Sequence, residues 1–217
     1  MRQFIVVGLG KFGMEVALAL ASNGMQVLAI DKDPRKTEAI ADKVTYAVRA
    51  DATDQKELAA LGLSGADAAI VSLGNKIEDS VLATMILKEF GIPEVIVKGI
   101  SKEHGKILKL VGATEVVFPE EDMARKIAQK IMHPNIIEHI PLLPNYSIVE
   151  IIAPKTFQGK TLLELNLRRE YGVEVLMIRR GTNVRMVPAA TMEKIQEGDI
   201  LLMLGKNEDL EKIRQME

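Results

Sequence analysis

Short apolar runs alternate with helical patterns from Gln3 to about Met132. Runs such as FIVV and AAIVSL are apolar at consecutive positions, which is typical of strands that helices cover on both faces. These runs predict strands at Phe4–Val7, Gln26–Ile30, Thr45–Arg49, Ala68–Ser72, Glu94–Lys98 and Glu115–Phe118. Apolar residues spaced by three and four positions predict helices between them, near Met14–Ser22, Pro34–Ala41, Gln55–Leu61, Glu78–Phe90, His104–Leu110 and Asp122–Ile131.

This alternation predicts the fold of the first part of the chain. Six strand–helix units in about 130 residues indicate an α/β domain with a doubly wound parallel sheet of the Rossmann type. Its expected strand order is 3-2-1-4-5-6, and ligands of such sheets lie in the crevice at the carboxyl ends of the strands.

The pattern changes after His133 and Pro134. The segment HPNIIEHIPLLPN holds three prolines, so it cannot continue a regular helix and is interpreted as a connection. Beyond it, the chain predicts strands in YSIVEIIAP, VEVLMIRRG, VRMVP and GDILLMLG, a helix in KTLLELNLRREYG and a final helix capped by Asn207. We therefore predict a large domain at 1–133, a connecting segment at 134–144 and a second, small α+β domain at 145–217.

Composition narrows the class of protein. The 217 residues include no cysteine, which excludes disulfides and thiolate metal sites. The formal charge is −2, from 28 basic and 30 acidic residues, and this balance does not favour nucleic acid as a partner. No apolar run approaches the roughly 18 residues of a membrane span. We expect a soluble protein whose membrane role, if it has one, comes through a partner.

The sequence GLGKFG stands between the first predicted strand and the first helix. Gly8 permits a tight turn, Gly10 lets the backbone approach a pyrophosphate, and Gly13 allows close packing of helix on strand. Asp31, at the end of the second strand, is placed to accept hydrogen bonds from both ribose hydroxyls and to repel a 2′-phosphate. This combination predicts a nucleotide site that excludes NADP but does not distinguish NAD from ATP or ADP.

Lys11 lies inside the same turn. A pyrophosphate bound by backbone amides and a helix dipole does not need a lysine, whereas a further anionic group gains a charge-assisted contact. Lys11 is therefore a candidate phosphate ligand, and a solvated lysine at a helix start is the alternative. Other strand ends add candidates to this crevice: Asp51, Ala52, Leu73, Gly74, Asn75 and Lys98. For Gly74 and Asn75 a plain turn remains open, and for Lys98 a solvated strand end.

The chain has no GxSxG, HExxH or P-loop motif. An NAD-dependent oxidoreductase remains an alternative function, but it needs a positioned acid or base, which the second domain does not offer. A nucleotide-sensing repressor is a third hypothesis, without a recognisable DNA-reading helix.

Several long segments resemble one family of proteins. They are IVVGLGKFG, LAIDKDPRK, ADATDQKELAALGLSGADAAIVSLGN, ATMILKEFGIPEVIVK, HGKILKLVGATEVVFPEEDMARKIA and the tail from GKTLLELNLRREYG to EGDILLMLG. Together they are similar to the regulatory subunits of bacterial Trk/Ktr potassium transporters, in which an RCK N-terminal (KTN) domain precedes an RCK C-terminal domain. The likeness covers essentially the whole chain.

The resemblance implies a function without catalysis. In that family ATP, ADP or NAD(H) changes the shape of a ring of subunits, commonly eight, built from homodimers. The ring docks beneath a membrane potassium transporter and alters its gating. This chain is accordingly expected in the cytoplasm, at the inner face of the cell membrane through its partner.

The resemblance also assigns residues to the site. The candidate ligand-binding residues are Gly8, Gly10, Lys11, Phe12, Gly13, Asp31, Lys32, Asp51, Ala52, Leu73, Gly74, Asn75 and Lys98. Glu120 matches an acid that in some members lies near nucleotide phosphates at the dimer interface and takes part in binding a divalent cation.

Some members bind cyclic di-AMP across a dimer of the C-terminal domain. Between residues 160 and 185 this chain has an excess of basic side chains, at Lys160, Arg168, Arg169, Arg179, Arg180 and Arg185. An anion pocket and a solvated basic face both remain open there.

Overall fold

The computed structural model of the protein describes residues 2–74, 76–132, 136–187 and 192–216. The chain divides into two units, Met1–Met123 and Ala124–Glu217, and each is considered by itself. Asn75, His133, Pro134 and Pro188, the last residue of the predicted strand VRMVP, lie outside the described residues.

A parallel sheet forms the centre of the first unit. Its strands are β1 (Gln3–Val7), β2 (Gln26–Asp31), β3 (Tyr46–Arg49), β4 (Ala68–Val71), β5 (Glu94–Lys98) and β6 (Glu115–Val117). They lie in the order β3-β2-β1-β4-β5-β6, and every neighbouring pair is parallel. The predicted strand order is therefore confirmed.

Helices cover both faces of this sheet. They are α1 (Lys11–Ser22), α2 (Pro34–Ile40), α3 (Gln55–Ala60), α4 (Ile77–Glu89) and α5 (Lys102–Leu110). A further helix, α6 (Pro119–Met132), follows β6 and continues into the second unit. Ile5 and Val7 of β1 pack in one core cluster with residues of α3, α4 and α5, whereas Val6 packs in the other with residues of α1 and α2. Successive side chains of one strand therefore point to opposite faces of the sheet and pack in two separate cores. This is the doubly wound arrangement that the apolar runs predict. Within the described residues, no helix combines the length and apolarity needed to cross a membrane.

The second unit contains an antiparallel sheet. Its strands are β7 (Ile136–Leu143), β8 (Tyr146–Ile152), β9 (Glu174–Arg180), β10 (Asn183–Met186) and β11 (Ile200–Lys206), in the order β10-β9-β11-β8-β7. The helices α7 (Leu162–Leu165), α8 (Leu167–Tyr171) and α9 (Asn207–Arg214) accompany them. This is the small α+β unit that the sequence predicts.

The interpretation of 134–144 as a connection was wrong for residues 136–143. These residues form β7, which pairs antiparallel with β8 from Ile136 to Leu143 and shifts register near both ends. Pro141 is compatible with a strand here because β7 lies at the edge of the sheet, where one side of the strand has no ladder partner in the part of the chain that the structure describes. The prolines exclude a helix, but they do not exclude an edge strand.

Two further expectations about the second unit were wrong. The single helix predicted in KTLLELNLRREYG is divided by Asn166, whose backbone is left-handed with φ of 44°. Asn207 is the first residue of α9 and not its cap, and the cap position belongs to Lys206. The Asn207 side-chain oxygen instead accepts a hydrogen bond of 2.7 Å from the Ser147 hydroxyl, so it ties α9 to β8.

Candidate functional site

The glycine turn between β1 and α1 is closely packed at two of its three glycines. Gly8 has φ of +86°, and a Cβ added there would clash with the Ser72 carbonyl oxygen. A Cβ at Gly13 would clash with the Gly8 carbonyl oxygen. Gly8 therefore allows the turn to pack against the backbone that follows β4, and Gly13 allows α1 to pack against the turn.

Gly10 lies in open space. Within the described residues, no heavy atom from beyond its chain neighbours lies within 4 Å of the position where its Cβ would be. Its backbone is extended, with φ of −72°. It occupies the cap position of α1, which has no acidic residue in its first turn. The first backbone amides of a helix and its dipole attract an anion, so this end of α1 suits a phosphate. Lys11, the first residue of α1, is exposed there.

Asp31 is buried at the end of β2, with 7% of its side chain exposed. Its Oδ2 accepts hydrogen bonds from the Leu9 amide at 2.7 Å and from Lys36 Nζ at 3.0 Å. Its Oδ1 accepts one from the Asp33 amide at 2.8 Å. The carboxylate thus fixes the glycine turn to the end of β2 and adds a negative charge beside it.

Lys36 was missed by the sequence reasoning. It lies in the first turn of α2, where Pro34 follows the capping carboxylate of Asp33. The sequence did contain a signal for this contact: Lys36 follows Asp31 by five residues, in a helix that begins just after the strand that Asp31 ends. Lys32, which the sequence did include, lies 3.9 Å from Asp79 in the first turn of α4.

Other predicted residues are engaged in local structure. The side chains of Ala52 and Leu73 pack in the core cluster around α3 and α4, and Phe12 packs in the cluster around α1. The Asp51 carboxylate accepts hydrogen bonds from the hydroxyl and the amide of Thr53, and these bonds lower the pKa of Asp51. Ala52, with 5% exposure, can offer a ligand little besides its backbone.

Lys98 and Glu120 form an ion pair at the carboxyl end of β5, two strands along the sheet from β1. Lys98 ends β5 and Glu120 lies in the first turn of α6, and Lys98 Nζ donates a hydrogen bond to Glu120 Oε1. This bond holds the pKa of Glu120 below its ordinary value. Two residues that the sequence proposed for separate roles are therefore partners of each other.

The site does not fit a divalent cation by itself. Among the residues described in this chain, no three His, Asp or Glu side chains are grouped so as to hold a metal ion. Glu120 is already engaged by a cation of the protein. We assign no step to a metal.

The basic residues of the second unit are largely paired. Four of the six named above form ion pairs with carboxylates: Arg168 with Glu174, Arg179 with Glu150, Arg180 with Asp199 and Arg185 with Glu193. These four side chains already have carboxylate partners, which counts against an anion pocket built from them.

His104 is a deeply buried titratable group that the site does not use. It lies on α5 with 2% exposure, and its Nε2 is 2.9 Å from the Ser80 hydroxyl on α4. Its Nδ1 accepts a hydrogen bond from the Ile100 amide, so the proton of the neutral ring is on Nε2. Burial lowers the pKa of His104.

The fold and this site define a Rossmann-type domain of the nucleotide-binding class, joined to a small antiparallel unit. Family models match both parts: the TrkA-N domain matches residues 4–119, and the TrkA-C domain matches residues 146–216. The chain belongs to this TrkA family, which includes Ktr-system potassium uptake proteins.

Two relatives from Bacillus subtilis (strain 168) extend over almost the full chain. Ktr system potassium uptake protein C is 40% identical over 209 residues, covering 96% of this chain and 94% of that protein. Ktr system potassium uptake protein A is 37% identical over 211 residues, covering 97% and 95%. The solved GsuK channel bound to NAD has the same fold, with a TM-score of 0.64 and 18% identity over 98% of this chain and 39% of that one.

Proposed function

We propose that this chain is a nucleotide-sensing regulatory subunit of a membrane potassium transporter of the Trk/Ktr type. Its homology to two Ktr potassium uptake proteins supports the transport role. The sensing role rests on one observation, the buried Asp31 carboxylate that the Leu9 amide holds beside the N-terminus of α1. A carboxylate next to a helix N-terminus suits a ribose and the phosphates attached to it.

The proposed ligands are ATP, ADP and NAD(H), which share an adenosine ribose with both hydroxyls and a pyrophosphate. NAD is the ligand in the solved GsuK channel, which supports a nucleotide of this kind. Lys11 is exposed at the first residue of α1, and we assign it to the terminal phosphate that ATP has and ADP lacks. A ligand shifts a conformational equilibrium only by its different affinity for the two states, and this phosphate supplies a difference.

The Lys98–Glu120 pair connects the site to α6. A phosphate that reaches Lys98 competes with Glu120 for the same ammonium, since both are oxygen anions. The first turn of α6 then loses one of its contacts with β5. Ligand binding at the sheet is in this way coupled to a helix outside it.

The proposed subunit works as part of an assembly and does not turn over its ligand. Homodimers combine into a ring, of eight subunits in the proposed form, on the cytoplasmic side of the transporter. The nucleotide changes the shape of the ring, and the transporter responds. Catalysis is not part of the proposal, because gating needs only the binding energy of the ligand.

Native mass spectrometry of the protein purified with ATP, ADP or NADH tests ligand and stoichiometry together. We expect a multimer with bound nucleotide, and in Lys11→Ala a loss of ATP affinity relative to ADP on the order of tenfold, from one lost charge-assisted contact. Lys43→Ala removes an exposed lysine distant in sequence from the turn and serves as the control. A monomer that binds no nucleotide contradicts the function, and an unchanged ATP-to-ADP ratio in Lys11→Ala contradicts the role of Lys11.

A further inference from the structure

The hydrogen bonds of Asp31 leave too few acceptor sites for a ribose. An ionised carboxylate offers about four acceptor positions on its two oxygens. Three are taken, by the amides of Leu9 and Asp33 and by Lys36 Nζ. A ribose that donates both hydroxyls to Asp31 needs two positions. One of the three present donors must therefore leave when such a ligand binds.

Lys36 is the donor that can leave. The other two are backbone amides, one in the tight turn after β1 and the other at the cap of α2, and both are held by the backbone around them. The Lys36 side chain is 42% exposed on the first turn of α2, so its ammonium can move into solvent without unpacking the protein. It is bonded to Oδ2, the same oxygen that the glycine turn uses.

Neighbouring cations are already committed elsewhere. Arg35 makes two side-chain hydrogen bonds to Asp33, at 3.0 and 2.8 Å. Lys32 lies 3.9 Å from Asp79. Lys36 is the cation of this segment that compensates Asp31 itself, so its movement changes the charge at the ribose end of the site directly.

We propose that Lys36 is a specificity-determining residue that competes with the ribose hydroxyls for Asp31 and compensates a phosphate on the 2′-oxygen. The proposal rests on the nucleotide-binding function above. With a free 2′-hydroxyl, Lys36 must give up its carboxylate and so weakens binding. With a 2′-phosphate, the ammonium lies between two anions and reduces the repulsion by Asp31. Asp31 alone would exclude a 2′-phosphate, and Lys36 reduces that exclusion.

A minimal pair of ligands isolates this effect. Adenosine 5′-monophosphate and adenosine 2′,5′-bisphosphate differ only in the 2′-phosphate, and their affinities follow from displacement of radiolabelled ADP from the full-length protein. In Lys36→Gln we expect tighter binding of the monophosphate and weaker binding of the bisphosphate. The affinity for the monophosphate divided by the affinity for the bisphosphate is expected to rise on the order of tenfold relative to the unmodified protein.

Arg35→Gln is the matched control, since it removes one positive charge from the same helix turn without touching Asp31. We expect its ratio to stay within about twofold of the unmodified protein, as screening limits charges that make no contact with the ligand. A Lys36→Gln ratio that also stays unchanged, while ADP binds, overturns the role of Lys36 and leaves the nucleotide site intact. Failure of the unmodified protein to bind ADP contradicts the proposed function instead.

Discussion

The three glycines of the turn have different physical roles, although one motif describes them all. Gly8 and Gly13 are constrained by their own backbone surroundings, which a side chain would clash with. Gly10 has ordinary backbone angles and open space, so the fold does not require glycine there. What remains to explain Gly10 is a ligand that approaches the backbone closely. We therefore expect Gly13 to be required for the stability of the fold and Gly10, three positions before it, to be required for ligand binding.

The pair Gly13→Ala and Gly10→Ala tests this separation. Gly13→Ala is expected to lower the free energy of unfolding by roughly 2–3 kcal/mol, because its methyl group clashes with backbone that cannot turn away. Gly10→Ala is expected to stay within about 0.5 kcal/mol. Its methyl group should instead reduce ADP affinity on the order of tenfold or more. Urea unfolding followed by circular dichroism and ADP titration measure the two effects, and equal destabilisation by both variants would contradict the assignment.

The sequence predicted the site best where a position accepts only one type of residue for a physical reason. The GxGxxG spacing placed the turn correctly, and Asp31 lies beside it as expected. Lys36 was not found, because the partner of a carboxylate depends on side-chain directions that spacing does not give. The pairing of Lys98 with Glu120 was missed for the same reason, since 22 residues separate them in the chain.

At the scale of helices and strands, the sequence predicted some elements correctly and missed others. Central strands of the first unit, such as β1 and β4, are apolar at consecutive positions and are easily recognised. In contrast, β7 contains Pro141 and exposes Ile140 and Leu142, so its pattern resembles a loop. Asn166 divides α7 from α8 through a left-handed backbone, which asparagine adopts more readily than other residues with a side chain. Periodicity continues across such a residue, and it therefore predicts one helix where there are two.

A buried hydrogen-bond chain links α4 and α5. His104 Nε2 donates to the Ser80 hydroxyl, which donates in turn to the Ile77 carbonyl at 2.8 Å. Ser80 and His104 are both buried, with 0% and 2% exposure. Protonation of Nδ1 would place a second donor against the Ile100 amide. The neutral ring is thus the form that this helix pair requires.

Stability of the first unit should consequently depend on pH through His104. Burial lowers the pKa of His104 from its ordinary value of 6.5, so the unfolded chain takes up this proton at a higher pH than the folded chain does. The contribution of neutral His104 is complete above about pH 6.5 and is lost as pH falls through the folded-state pKa. His104→Gln keeps a donor for Ser80 but cannot titrate.

Urea unfolding of both proteins at several pH values, from about 7.5 down to about 5, measures this linkage. We expect the unmodified protein to lose its stability advantage over His104→Gln as the pH is lowered. Because His139 is present in both proteins, its titration largely cancels in the difference. A difference that does not change with pH would show that His104 titrates alike in the folded and unfolded chains.

At the scale of the whole molecule, sequence and structure place the start of the second domain at different residues. The TrkA-C match begins at residue 146, and the sequence predicts a second domain from residue 145. The sheet of the second unit nevertheless includes β7, which ends at Leu143 and pairs with β8 along most of its length. Where this domain begins therefore has a physical consequence, because β8 becomes an edge strand if β7 is removed.

Two fragments, residues 136–217 and residues 145–217, test the contribution of β7. Without β7 the ladder on one side of β8 is lost, and apolar side chains of β8 lose neighbours. We expect the shorter fragment to be less stable by roughly 2 kcal/mol or more, and more prone to self-association, because unpaired apolar edges invite strand pairing. Urea unfolding and sedimentation of the two fragments provide the comparison. Equal stability and equal sedimentation would place the start of the domain at residue 145 and make β7 an appendage, whereas a deficit confined to the shorter fragment makes β7 part of the domain.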